Sequence, residues 1–361
     1  MTIAIDCRMI DSSGIGVYLR GILLFFIKAD HYLLLLGNNN QLKAYEKNNN
    51  VTVISCDIKP FSLKDCFFFP LKLRNLLNKA DIFFSPFFNV LPLSIPVFTV
   101  IHDIIFPDMP EITSKPGLAI RMFFLRKAYR KSKKIFTVSE FSKSRIEYHL
   151  GTTKPVIVTH SAIQVEFLEY RKKLANIKKK ETIIFIGNIK KHKGLLYLLD
   201  AFCLALNEGL SYKLIIVGEK EKLRTTDAFI NKKINSIVNN FESDAVSFTG
   251  YITNEKLMEY LAEASLLVQP SLYEGFCLPP LEAMVLGTGA LISDIPVLKE
   301  IYKDFPVTFF KAGDPEDLKN KLLALLKNTA LPVFKNELLS EELLSKYTFE
   351  KTANKILKEI E

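Results

Sequence analysis

The sequence predicts an α/β protein made of two doubly wound halves, each a parallel sheet with helices on both faces. Three observations carry this reading. The 361 residues exceed one ordinary core and suit two domains of about 150 to 200 residues. Short apolar runs alternate with stretches of helical spacing, the pattern of parallel strands joined by crossover helices. The alternation breaks at a charged stretch near the middle of the chain and then starts again.

In the first half, Thr2 to Cys7 reads as a strand, followed by the turn Asp11-Ser-Ser-Gly-Ile-Gly16 and an apolar segment from Val17 to Lys28. Leu33 to Leu36, Val51 to Ser55, Ile82 to Phe84, Val97 to Ile101 and Ile135 to Val138 read as further strands. The last ends at Ser139-Glu140-Phe141-Ser142, a helix start. Residues 82–101 carry no charge over 20 positions, long enough to span a bilayer. Pro86, Pro92 and Pro96 would each cost a helical hydrogen bond in hydrocarbon, so the stretch is expected to be strand, loop and strand. From Gln164 to Lys180 the sequence turns charged, and the linker is placed there. The second half then runs strand Thr182 to Ile186, helix Gly194 to Leu206 and strand Lys213 to Val217, with later strands at Val246 to Thr249, Leu266 to Val268 and Ala290 to Ile292. The expected organisation is a first domain over 1–165, a second over 170–340, and a C-terminal helix at 341–361 packing back on the first. Ligand is expected in a central cleft that the two domains face, at strand carboxyl ends.

With 48% hydrophobic and 24% charged residues, disordered and collagen-like chains are excluded. Five cysteines, at 7, 56, 66, 203 and 277, form no C-x-x-C pair, which argues against a disulfide framework and for a reducing compartment. Asp6 and Arg8 interrupt the N-terminal apolar run, so no cleavable signal is read and a cytoplasmic location is expected. The net charge is +9, and residues 115–134 hold eight basic residues and no acid. Leu118, Met122, Leu125 and Tyr129 recur there at helical spacing beside Phe123 and Phe124. Such a helix ordinarily packs one face and solvates the other; a sharper reading is a surface for anionic lipid or phosphate on the inner face of the cell membrane. No recognition motif accompanies the charge, so nucleic acid is not expected as a partner.

The chemistry concentrates in Pro270-Ser-Leu-Tyr-Glu-Gly-Phe-Cys-Leu-Pro-Pro-Leu-Glu-Ala-Met284, directly after a strand. Gly275 allows a tight turn and Pro279-Pro280 suit a first helical turn. The amides of Phe276, Cys277 and Leu278 then precede a helix N-terminus, where anions bind. Glu274 and Glu282 flank that position. Carboxylates repel phosphate but accept hydrogen bonds from hydroxyls, as a sugar or ribose on either side of a diphosphate would offer. Taken singly, either Glu is a surface or helix-start carboxylate; the whole string points to a site.

This E-x7-E string, with the AMVLGTGALISDIPVLKE that follows it, resembles the signature of family 4 retaining glycosyltransferases of the GT-B fold. Ile186-Gly-Asn-Ile-Lys-Lys-His-Lys-Gly194 resembles the second motif of that family, and Ser13-Gly-Ile-Gly-Val-Tyr18 its N-terminal glycine-rich loop. Ile101-His-Asp103 and Val138-Ser-Glu-Phe-Ser-Lys143 match two further landmarks, and the five occur in order.

The resemblance implies roles. Lys193 would contact the donor diphosphate and stabilise charge on the departing nucleotide, Glu282 would accept from the ribose, and Glu274 would hold hydroxyls of the transferred sugar. His102 would touch that sugar near the reacting carbon. Gly14 and Gly16 would let a loop approach the donor, and Asn188, Gly250, Phe276, Cys277 and Leu278 would complete the donor site. The family usually carries Arg where Asn188 stands, one cation more; Lys190, Lys191 and His192 are the candidates to replace it. The chain has no D-x-D triplet, which fits transfer without metal or other cofactor. The implied reaction moves a hexose from a nucleoside diphosphate sugar, GDP-mannose first and a UDP-hexose second, to a hydroxyl of a glycan or lipid-linked acceptor in bacterial surface polysaccharide synthesis. The GIGxY loop with the HD and VSEFSK motifs looks like the mannosyltransferase-type branch. The alternatives are a sugar-nucleotide enzyme of the same fold, such as a UDP-N-acetylglucosamine 2-epimerase, and an inactive scaffold on anionic membrane.

Overall fold

The computed structural model describes residues 1–174, 177–218, 232, 235–237, 239, 245–327, 339 and 341–361. Parts of the expected linker (175 and 176) and of the expected second domain lie outside the described residues. The chain divides into two units, Met1–Gln164 with Tyr347–Glu361, and Val165–Lys346.

The first unit holds seven parallel strands: β1 (Thr2–Asp6), β2 (Tyr32–Gly37), β3 (Val51–Ser55), β4 (Ile82–Ser85), β5 (Val97–Val100), β6 (Ser132–Thr137) and β7 (Val156–Val158), ordered β3-β2-β1-β4-β5-β6-β7. Registers such as Ile3↔Leu33 and Ile3↔Ile82 place β1 centrally. Every residue of β4 and β5 is buried, as expected of strands covered on both faces, which therefore read as continuous apolar runs rather than alternating ones. The uncharged stretch 82–101 is indeed strand, loop and strand, and among the described residues no helix is long and apolar enough to cross a membrane.

The second unit repeats the plan with six parallel strands: β8 (Lys180–Ile186), β9 (Lys213–Val217), β10 (Val246–Gly250), β11 (Ala264–Gln269), β12 (Gly289–Ser293) and β13 (Val307–Phe310), ordered β10-β9-β8-β11-β12-β13. In each unit the winding direction reverses beside the first strand, between β1 and β4 and again between β8 and β11. Loops leaving the two strands of such a switch point diverge to opposite faces and leave a crevice at their carboxyl ends.

Sequence reading missed β7 and β13. Both are edge strands, of three and four residues, and each follows a proline, Pro155 or Pro306. Short edge strands carry little apolar signal, and proline suits their starts.

Residues 341–361 are two helices rather than one. Glu341–Lys346 belongs to the second unit and Phe349–Ile360 to the first. The latter buries Phe349, Thr352, Ala353, Ile356, Leu357 and Ile360, a stripe at helical spacing, against the helix Ser13–Lys28. Phe349 seats on Gly21, where a Cβ would come within 2.4 Å of its ring. Thr352 Oγ1 donates to the His160 carbonyl at 2.6 Å, and Lys134 Nζ to Glu359 at 2.8 Å.

Candidate active site in the second unit

The loops that leave β8 and β11 hold each other. After β8 the chain makes a 3-10 turn, Lys191–Lys193, and enters the helix Leu195–Asn207 through Gly194 at φ +71°. A Cβ on Gly194 would stand 1.8 Å from the Pro270 carbonyl oxygen, so only glycine fits where the first loop crosses the second. The Leu272 amide donates to the His192 carbonyl at 2.7 Å, closing the junction from the other side.

That junction sets Lys193 against Glu274. Lys193 Nζ donates to both carboxylate oxygens, at 2.7 and 2.9 Å. Glu274 is 8% exposed and is held from beneath: Ser271 Oγ donates to it at 2.7 Å, and Gln269 Nε2 donates to Ser271 Oγ at 3.1 Å. Ser271 and Gln269 are fully buried, and Ser293 Oγ donates to the Ser271 carbonyl. Sequence reasoning missed this support. Its signal was a small hydroxyl residue three positions ahead of Glu274.

Cys277 has φ +73°, a left-handed conformation that costs a residue with a Cβ about 1–2 kcal/mol. Its carbonyl accepts from the Tyr302 hydroxyl. Burial pushes its thiol well up, Glu274 adds to this through its charge and as hydrogen-bond partner, Lys193 opposes it, and Glu282 adds further. The residue is therefore no thiolate nucleophile; it shapes the backbone. Phe276 is also buried, and Leu278 is the uncapped residue before the helix Pro279–Val285.

Glu282 sits in that helix, 7% exposed. Burial alone pushes its carboxyl up to about 7. Its carboxylate takes no hydrogen bond or ion pair from any described residue. Unpaired buried carboxylates are costly and rarely retained without a use. Beside these groups the ends of β8, β9 and β10 carry glycines: Gly187 donates to the Val217 carbonyl, a Cβ on Gly218 would meet the Gly187 oxygen at 2.5 Å, and Gly250 bridges to Gly218 with no described atom within 4 Å of where its Cβ would be.

Two expectations are corrected. Gly14 and Gly16 do not form a loop ahead of a helix; both lie in the first turn of Ser13–Lys28. Gly16 is required by the turn before the helix, since a Cβ would stand 2.3 Å from the Ile10 oxygen, whereas a Cβ on Gly14 would meet no described atom within 4 Å. His192 cannot supply the missing cation near neutral pH, because burial, with Lys193 adding to it, lowers its pKa to about 4. Lys190 and Lys191 are exposed, as is Asn188.

His102 belongs to the first unit. Its Nε2 contacts the Pro86 carbonyl at 2.8 Å and its ring meets Tyr18 edge-on at 4.9 Å. A carbonyl only accepts, so Nε2 carries the proton. Burial lowers the pKa to about 4 against the opposing effect of that bond, leaving a neutral ring with Nδ1 as an acceptor.

A cation facing a carboxylate, and a second buried carboxylate with no partner among the described residues, put a counter-charge and hydrogen-bond acceptors near the glycine-bearing strand ends. The family model described as Glycosyl transferases group 1 matches residues 166–337, and that described as Glycosyltransferase Family 4 matches 12–167. The chain belongs to the family 4 glycosyltransferases. A curated relative, O-antigen chain mannosyltransferase B of Escherichia coli, is 26% identical over 230 residues, covering 61% of this chain and 58% of that protein. The serotype-specific mannosyltransferase WbdA of Escherichia coli is 27% identical over 252 residues, 64% of this chain and 29% of that protein. The matches therefore span less than two thirds of either relative. The fold is GT-B: the crystal structure of Anabaena HepE in complex with UDP and glucose superposes with TM-score 0.75 at 16% identity, covering 100% of this chain and 99% of that one.

Proposed function

We propose that this family 4 member is a retaining glycosyltransferase that moves a hexose, mannose first, from a nucleoside diphosphate sugar to a hydroxyl of a glycan or lipid-linked acceptor in bacterial surface polysaccharide synthesis. The observation that carries the reading is the grouping at one strand-end crevice of Lys193 paired to Glu274 with Glu282, which has no partner among the described residues. Glu282 is an acceptor for ribose hydroxyls, Lys193 a counter-charge for the diphosphate, and Glu274 an acceptor for hydroxyls of the transferred sugar. The mannosyltransferase names of the relatives favour GDP-mannose as donor; the UDP-bound HepE structure makes a UDP-hexose the second choice.

In the front-side reaction, the bond from the sugar's anomeric carbon to the diphosphate breaks as the acceptor oxygen adds on the same face. The acceptor proton passes to the departing phosphate oxygen. Lys193 answers the charge that grows on the diphosphate, a contribution realised at the transition state. No step calls for a metal ion. His102 offers Nδ1 to a sugar hydroxyl. The protein is placed on the cytoplasmic side, at the membrane where a lipid-linked acceptor resides.

A panel of nucleotide sugars, read first by thermal shift and then by transfer, tests this. GDP-mannose or a UDP-hexose should raise the melting temperature, and free nucleotide should appear only with acceptor present, undiminished by excess EDTA. Lys193→Ala and Glu274→Ala should each lower kcat/KM by about 10² or more in a folded protein. Near-native turnover in either variant would refute the roles, and acceptor-independent nucleotide release would favour the epimerase-type chemistry.

A further inference from the structure

The first unit carries an exposed apolar patch that the transfer chemistry does not use. Leu63, Phe67, Phe68 and Leu71 are 75, 68, 74 and 71% exposed, and Ile120 and Phe123 are 58 and 54% exposed. The first four come from the segment after β3, which forms the short helices Leu63–Phe67 and Leu71–Leu77. The other two lie on the helix Lys115–Lys131.

These elements share one surface. The Phe61 ring lies 5.0 Å from Phe124, and Phe124 lies 5.5 Å from the exposed Phe123. Burial and then Asp65 raise the Cys66 thiol, and the charge of Lys127 is close enough to oppose them. The platform is built rather than loose. Asp65 accepts from Arg8 at 2.6 Å, from Asn89 Nδ2 at 2.6 Å and from the Phe61 amide at 2.9 Å, and Phe61 itself is fixed at φ +62°.

Charge decides what covers the patch. Residues 58–79 contain five Lys and Arg and a single acid, Asp65, which is buried on Arg8; residues 115–134 add eight cations and no acid. Lys64, Lys72, Arg126, Arg130 and Lys131 are exposed. An apolar cluster bordered by cations of one sign fits a partner whose negative charges lie in a plane above hydrocarbon, which is an anionic bilayer.

We propose that Leu63, Phe67, Phe68 and Leu71 enter the headgroup–acyl boundary of an anionic membrane while the cations around them contact lipid phosphates. The inference deepens the lipid-linked-acceptor reading, on which its biological use rests; the measurements below need neither donor nor acceptor, so the two can fail separately.

The chain contains no tryptophan, so Phe68→Trp installs a single fluorescent reporter. With vesicles mixing phosphatidylcholine and phosphatidylglycerol, its emission should shift to the blue and be quenched by lipids brominated in the acyl chain. Pure phosphatidylcholine should give neither effect. Phe67→Ser with Leu71→Ser should weaken sedimentation with the anionic vesicles by about tenfold or more and leave its salt dependence. Arg126, Lys127, Arg130 and Lys131 changed to Ser should weaken it and flatten that dependence, because screening shortens from about 10 Å to about 3 Å between 0.1 and 1 M salt. Sedimentation without an emission shift, equal binding to both vesicle types, or no binding would overturn the proposal. So would a lipid-free blue shift that grows with protein concentration, which would mean that a second copy covers the patch.

Discussion

At the scale of single residues, Glu282 bears a burial cost that no hydrogen bond or ion pair from the described residues offsets. Its folded pKa of about 7 lies above its ordinary value of 4.5, so the folded state holds a proton that the unfolded state releases. The stabilisation from that proton is complete below about 4.5 and is lost as pH rises through about 7. The shift corresponds to a contribution on the order of 3 kcal/mol. Glu282→Gln should therefore be more stable than the parent at pH 8, by about 1–3 kcal/mol, with the gap closing near pH 5; urea unfolding at the two pH values checks this. Donor affinity should move oppositely, strengthening from pH 6 to pH 8 in the parent as the carboxylate becomes a better acceptor, and losing that trend in the variant. Cys277 illustrates a different constraint, since its backbone conformation and not its thiol is what the site uses. Cys277→Gly should change stability by less than about 1 kcal/mol, glycine's extra unfolded-state freedom offsetting the relieved strain, and should keep turnover. Cys277→Val, β-branched at φ +73°, should lose more stability and turnover with it.

At the scale of elements, the site depends on where two loops cross. Gly194→Ala would drive a methyl group into the Pro270 carbonyl and strain a left-handed backbone. It should cost about 2 kcal/mol or more and separate Lys193 from Glu274, so turnover should fall even at temperatures where the variant stays folded. Circular dichroism melts beside turnover at low temperature distinguish the two effects. Much of this element plan was legible in the chain. Central parallel strands are apolar throughout, and the run Pro270 to Met284 announces a strand, a turn and a helix start in order. What sequence could not supply was pairing at a distance. Nothing local says that Gly194 meets Pro270, that Ser271 and Gln269 hold Glu274, or that His192 is too buried to be a cation. The helix containing Gly14 and Gly16 starts one turn earlier than the sequence indicates, because paired glycines signal a loop more strongly than a helical first turn. In the closing segment, apolar positions ran through Glu341–Lys346 and Phe349–Ile360 alike, hiding that the two helices belong to different units.

At the scale of the molecule, the first unit is discontinuous: residues 347–361 complete a unit whose other 164 residues precede the whole of Val165–Lys346. During synthesis this imposes an order of events. At about 5–20 residues per second, the groove on the helix Ser13–Lys28 around Gly21 waits about 10 to 40 seconds while 182 residues of the second unit emerge, before Phe349 and its neighbours can fill it. Over that interval the first unit lacks the helix that covers its apolar groove, while the second can close once the helix Pro315–Lys327, which brings Leu318, Leu322 and Leu326 to its core after the last strand, is made. The geometry offers a remedy. Met1 is bonded to Tyr32 through its carbonyl at 3.0 Å, and Glu361 contacts the neighbouring His31 at 3.1 Å, so Met1 and Glu361 lie near each other. A circular permutant that opens the chain between Lys346 and Tyr347 and joins Glu361 to Met1 through a short glycine-serine linker would deliver the first unit as one uninterrupted stretch. It should give more soluble protein in a chaperone-depleted translation system than the natural order does, with the same equilibrium stability to urea. Equal yields would mean that the waiting surface is no hazard, and the split between the two units would then be without kinetic consequence.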